Sequence, residues 1–135
     1  IPSLIRRFHE AKASKSNTVV VWGSGKPKRE FLYVDDMAIA CVHFMNIDYK
    51  IFSSLVTSMS SHINIGSGEE YTIRELAEII KEVVGYEGEI DFDKSKLDGN
   101  PQKKMDCQLA KKLGWQSKIN LREGLIKTYK QFLKI

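Results

Sequence analysis

The residues of this sequence best suited to chemistry cluster around one short stretch. Trp22 runs into Gly23-Ser24-Gly25-Lys26-Pro27, and Arg29 follows directly. An aromatic ring at a strand end can stack on a base or a sugar, and glycines beside it let backbone approach a ligand closely. A guanidinium just past such a turn can clamp a diphosphate through two parallel N–H bonds. Each residue also has a plainer reading: Trp22 as core, Arg29 as the ion-pair partner of Glu30 or Asp35. Arg7 can project from a first helix into a cleft or lie on a solvated face. Asp98, in Leu97-Asp98-Gly99-Asn100-Pro101, can accept from ligand hydroxyls or ring nitrogens, or simply form a turn. Lys103 and Lys104 can meet phosphates or solvent. Asp35-Asp36 reads as a helix cap followed by a first-turn acid, not as a catalytic dyad.

The missing patterns narrow the chemistry. Gly23-Ser24-Gly25 and Gly66-Ser67-Gly68 each stop after two glycines, so neither makes the G-x-G-x-x-G dinucleotide turn, and no Walker A pattern occurs. No tyrosine has a lysine four positions on, which leaves out the Tyr-Lys pair of short-chain dehydrogenases. His9, His43 and His62 lack metal-type spacing, and there is no G-x-S-x-G elbow. No self-sufficient catalytic set is encoded, and no metal or cofactor ligand is assigned within the chain.

The elements that would position these residues follow from periodicity and caps. Pro2 opens a helix carrying Leu4, Ile5, Phe8 and Ala11 at helical spacing. Thr18–Trp22 is β-branched and apolar, a buried strand. Residues 29–34 read as extended, and Asp35 as the cap of a helix over 36–45 that is apolar on most faces and expected to be buried. Residues 48–61 read as a Ser-rich surface loop with some local turn, and His62–Ile65 as a short strand. Thr72 and Glu75 form a capping box for a helix whose Ile73, Leu76, Ala77, Ile80 and Val84 share a face and which stops at Gly85. Residues 89–93 alternate as a half-exposed strand, and 94–105 form a charged loop. A short helix capped by Asp106 and stopped at Gly114 precedes a last helix, capped by Asn120 and Glu123, in which Leu121, Leu125, Thr128 and Phe132 face one way. The order is α/β in class, with few strands for a sheet of its own.

These pieces have a familiar order. Val20 to Ala38, with its W-G-S-G-x-P-x-R-E-F-L core and V-D-D end, closely resembles the hallmark stretch of the GDP-L-fucose synthase family. These are NADP-dependent epimerase/reductases of the extended short-chain dehydrogenase superfamily. Three later pieces match in order: His62–Gly68 with Tyr71–Ala77, then Val83–Gly88, then Asp98-Gly99-x-Pro101-x-Lys103-Lys104-x-Asp106. Leu113-Gly114-Trp115 and Gly124-Leu125 with Thr128-Tyr129 close the chain in the same way. The resemblance spans all 135 residues but only the C-terminal part of such an enzyme.

It implies a small mixed α/β substrate-binding part of a Rossmann-type enzyme, with elements that would complete a missing half. That N-terminal half would hold NADP, the catalytic Tyr-Lys pair, and a histidine just before Ile1. By motif position, the sugar-nucleotide contacts fall on Arg7, Trp22, Arg29 and Asp98, with Lys103 a weaker addition. Leu97, Asn100 and Gln102 depart from the usual Pro, Thr and Arg of the loop. The implied reaction takes GDP-4-keto-6-deoxy-D-mannose to GDP-L-fucose, by epimerisation beside the ketone through enolate-type intermediates and then hydride reduction. The fragment alone is expected to be inactive, and its parent to be a homodimer. Another nucleotide-sugar epimerase or dehydratase of the same superfamily stands as the alternative.

Composition agrees with this reading and weakens others. Apolar residues make up 42% and charged residues 28%, and the net charge of +4 comes from acids and bases mixed along most of the chain. A nucleic-acid-binding module would concentrate its cations on one surface, whereas only 94–104 is locally basic. No stretch approaches the ~20 apolar residues of a membrane span, and no signal peptide opens the chain. Cys41 and Cys107 show no metal spacing, which with the Lys-rich composition favours a reduced, cytoplasmic protein.

Overall fold

The computed structural model describes residues 1–134. Eleven elements follow one another: α1 (Pro2–Ala13), β1 (Thr18–Trp22), β2 (Lys28–Glu30), α2 (Val34–Met45), α3 (Tyr49–Leu55), β3 (Glu70–Thr72), α4 (Ile73–Val84), β4 (Glu89–Asp93), β5 (Gln102–Lys103), α5 (Gln108–Lys112) and α6 (Leu121–Phe132). The chain is mixed α/β, and it divides into two compact units.

The first unit holds residues 1–29, 70–103 and those from 122 onward. Its centre is the parallel pair β1–β4, in register from Thr18 opposite Glu89 to Trp22 opposite Asp93. Alternation along β1 turns Val19 and Val21 inward. They share an interior with Ile5 and Phe8 of α1, and with Leu76, Ala77, Ile80 and Val84 of α4. The capping box forms as the sequence predicts, with Thr72 Oγ1 accepting from Glu75 N and the Glu75 carboxylate accepting from Thr72 N. Those two bonds satisfy amide groups that a helix start leaves unpaired. The Thr72 amide and the Thr72 hydroxyl both donate to that carboxylate and hold the Glu75 carboxyl below its usual range, the amide contributing most. A second sheet runs β3-β2-β5, with β2 and β5 parallel.

The second unit holds residues 30–69 and 104–121. Ala40, Ala110 and Trp115 form its core, with Leu32, Phe44, Ile63 and Ile65 packed against them. Two carboxylates tie distant backbone together. Glu30 accepts from Gly68 N at 2.6 Å and from Met105 N at 3.1 Å. Asp36 is only 2% exposed, and one of its oxygens accepts from both Lys118 N and Ile119 N at 2.9 Å.

Several elements differ from those the sequence predicts. The second helix starts at Val34, with Tyr33 and not Asp35 at the cap position, so Val34 is not extended. Within the described chain that helix is not buried: Val34, Met37, Ile39, Val42 and Met45 are exposed, the last at 84%. Residues 49–55 form α3 where a loop was expected, because the Asp48 carboxylate accepts from Lys50 N and starts a turn. Residues 62–65 join no ladder, and their apolar side chains serve the core. The short α5 has Cys107 at its cap position, although Asp106 does accept from Gln108 N.

Asp36 gives this unit a direct test. Asp36→Ala should lower stability by about 1–2 kcal/mol, because two backbone donors lose their acceptor. Asp35→Ala, at an exposed neighbour, should stay within about 0.5 kcal/mol. Urea unfolding of the two variants checks the contrast, and equal midpoints would contradict it.

Candidate functional site

The expected ligand-facing residues all lie in the first unit. β1 ends at Trp22, whose side chain is 67% exposed and is not core. The backbone then turns through Gly23 at φ +88° and Gly25 at φ +77°. At both positions an added Cβ would collide: with the Asp98 carboxylate at Gly23, and with the Phe92 ring at Gly25. The glycines are therefore required for close approach as well as for their left-handed backbone.

Asp98 is the closing piece of this turn. Its Oδ1 accepts from Ser24 N at 2.8 Å, and its Oδ2 from Ser24 Oγ at 2.6 Å. Ser24 Oγ in turn accepts from Lys26 N at 3.1 Å. These bonds favour the charged carboxylate, so the Asp98 pKa is lowered, first by the Ser24 hydroxyl, then by the Ser24 amide, with a smaller push from Lys26. A carboxylate has about four lone-pair positions, so two bonds from Ser24 leave Asp98 able to accept from a ligand as well.

Arg29 sits on β2 and closes no ion pair among the described residues. Its Nη1 donates to the Lys28 and Asn100 carbonyls, at 2.6 and 2.8 Å. Carbonyl bonds orient the guanidinium without neutralising it, which leaves its charge for an anion. The β2–β5 register pairs Arg29 with Lys103, which sets two cations side by side on one ladder. Arg7 is anchored at β1: Nη1 donates to Val20 O at 2.8 Å and Nη2 to Ser3 Oγ at 3.3 Å. The structure thus connects Trp22, Arg29, Asp98 and Lys103 through the 98–103 segment, and ties the Arg7 side chain to Val20, two residues before Trp22 on β1. Sequence reasoning missed two members. Ser24 supplies both donors to Asp98, and the Lys96 ammonium lies over the Trp22 ring, 5.7 Å from its centroid.

Residues 1–66 match the NAD dependent epimerase/dehydratase family. The GDP-L-fucose synthase of Escherichia coli is 52% identical over 134 residues, covering 99% of this chain and 42% of that protein. The chain is a relative of the C-terminal part of GDP-L-fucose synthases. It spans about two-fifths of the length of such relatives. A GDP-6-OMe-4-keto-L-xylo-heptose reductase from C. jejuni superposes with a TM-score of 0.86 at 33% identity, over 98% of this chain and 47% of its own. A GDP-L-fucose synthetase from Naegleria fowleri, solved bound to NADP, gives 0.82 at 28% identity, over 98% and 39%. The fold is accordingly that of part of the extended short-chain dehydrogenases. No helix among the described residues is long and apolar enough to cross a membrane.

The Ser24–Asp98 pair makes a pH prediction. A depressed carboxylate pKa means the pair's contribution is present above the unfolded pKa, and is lost as pH falls through the folded one. In Ser24→Ala, Asp98 should titrate at higher pH than in the parent chain, as read from its side-chain carboxyl carbon by NMR. An unchanged titration would remove Ser24 as the cause.

Proposed function

We propose that this chain is the substrate-binding half of an NADP-dependent GDP-L-fucose synthase, and that residues 1–135 hold the GDP end of the substrate. The observation that carries the reading is the 52% identity to the Escherichia coli enzyme across nearly the whole chain. The geometry around Trp22 supports it, since the chain presents an exposed ring, a glycine turn held by Asp98 and uncompensated cations in one unit. In this proposal Trp22 offers its ring for stacking, and Arg29 takes the diphosphate, with Lys103 beside it. Arg7 braces the strand that carries Trp22 and lends further charge. Asp98 keeps the turn closed and presents its remaining lone pairs to the ligand.

The parent reaction in this proposal is the conversion of GDP-4-keto-6-deoxy-D-mannose to GDP-L-fucose. Binding energy gathered at the nucleotide, far from the reacting carbons, orients the sugar ketone for chemistry performed elsewhere in the parent protein. The NADP site of the parent is placed mostly outside these residues, since neither two-glycine turn makes a dinucleotide motif. No chemical step is therefore assigned to this chain. A cytoplasmic, homodimeric parent completes the proposal.

Competition among GDP, UDP and dTDP tests the reading. GDP should bind, and bind tighter than the other two, while the 135 residues with the keto sugar oxidise no NADPH. Preference for UDP or dTDP would move the chain to another nucleotide-sugar enzyme, and turnover would overturn the half-site reading. Arg29→Ala should weaken GDP binding by about ten-fold or more, as loss of a charge-assisted contact does. Calorimetry reads both results.

A further inference from the structure

Lys96 is a charged group that none of the roles above uses. It lies in an exposed loop, and among the described residues it closes no ion pair. A lysine in such a loop is ordinarily free to wander, yet this one is held at both flanks. On one side, Lys96 N donates to Asp93 O at 3.2 Å, and the Asp93 carboxylate accepts from Ser95 N and Ser95 Oγ, which fixes a tight turn. Asp93 is itself the register partner of Trp22. On the other side, two residues on, Asp98 is pinned to Ser24. The two carboxylates thus suspend Lys96 over the exposed indole, with its ammonium 5.7 Å from the ring centroid. That is within cation–π range, worth about 0.5–1 kcal/mol at an exposed site.

A cation beside an accessible ring is a joint element. The ring accepts a flat heterocycle, and the ammonium accepts the phosphate that such a heterocycle carries in a nucleotide. We propose that Lys96 is a specificity residue of the Trp22 site: it rests on the indole when no ligand is bound, and pairs with a phosphate of a bound nucleoside diphosphate. This rests on the reading of the chain as a GDP-sugar holder, and it adds a residue to that site. Lys96 then discriminates nucleotide from nucleoside, while Trp22 supplies the contact common to both. Lysine suits this part better than arginine would suit a fixed fork, because its flexible stem lets one point charge swing between ring and phosphate.

Two measurements on the chain test it. The first needs no ligand. Trp115 is 5% exposed and Trp22 67%, so a collisional quencher in solution reports mainly on Trp22. Iodide, drawn by the ammonium, should quench Lys96→Met less than the parent chain, while neutral acrylamide quenches it equally or more. Identical iodide quenching would overturn the resting contact. The second measures GDP and guanosine binding by calorimetry. Lys96→Met should weaken GDP about five- to twenty-fold, the range of one charge-assisted contact near the surface, and leave guanosine unchanged. Lys96→Arg should stay closer to the parent than Lys96→Met does. If the parent chain binds GDP and Lys96→Met binds it equally, or loses guanosine in the same proportion, the role of Lys96 is refuted and the GDP-holding reading stands. If the parent chain fails to bind GDP at all, both fall together.

Discussion

The Asp98 carboxylate, doubly bound by Ser24, is the contact on which the rest of the site depends. It joins a loop after β4 to the turn after β1, across 74 residues of chain. Without it, the exposed ring, the oriented guanidinium and the loop lysines would belong to segments with no common reference. Gly23 is required because that carboxylate comes so close, and Asn100, two residues further on, gives Arg29 its carbonyl. The parallel ladder that sets Lys103 beside Arg29 is only two residues long. A ladder that short has little stability of its own, so the loop must already be anchored before it can form.

The same unit supplies a rigid floor beneath this anchored loop. β1 and β4 are locked in five-residue register, with Val19 and Val21 packed among side chains of α1 and α4. Trp22 stands at the end of that floor, where core packing gives way to solvent. The arrangement separates two tasks. Apolar burial fixes where strand ends lie, and a few hydrogen-bonded carboxylates then place the groups proposed to meet a ligand. Sites built on strand ends are more precise than sites on loops alone, and this one uses a strand end to discipline a loop.

Much of this was legible in sequence where the signal was local. The Thr72–Glu75 box, Gly85 as a helix stop, the β-branched run of β1 and the alternation of β4 all depend on neighbours within a few residues. The order of motifs around Trp22 and Arg29 pointed to a sugar-nucleotide ligand before any geometry was known. Long-range partners were not legible. Asp36 is the first-turn acid that the sequence suggests, but its partners are the amides of Lys118 and Ile119, over 80 residues away. Asp98 looked like a turn former, and nothing near it in sequence indicated Ser24. Composition misled at α3, which its serines concealed, while α2, apolar on most faces, leaves Met37, Val42 and Met45 exposed within this chain. Apolar content says that a face should leave water, and does not say what covers it.

In the proposed role, a nucleotide settles on the turn after β1. The most direct measurement is a GDP titration followed by two-dimensional NMR of the isotopically labelled chain, with each tryptophan indole N–H resolved. Binding there should shift the Trp22 indole and the amides of Gly23, Ser24 and Gly25, and leave the Trp115 indole unmoved. Shifts confined to Trp115 and its surroundings, or scattered without involving Trp22, would contradict it.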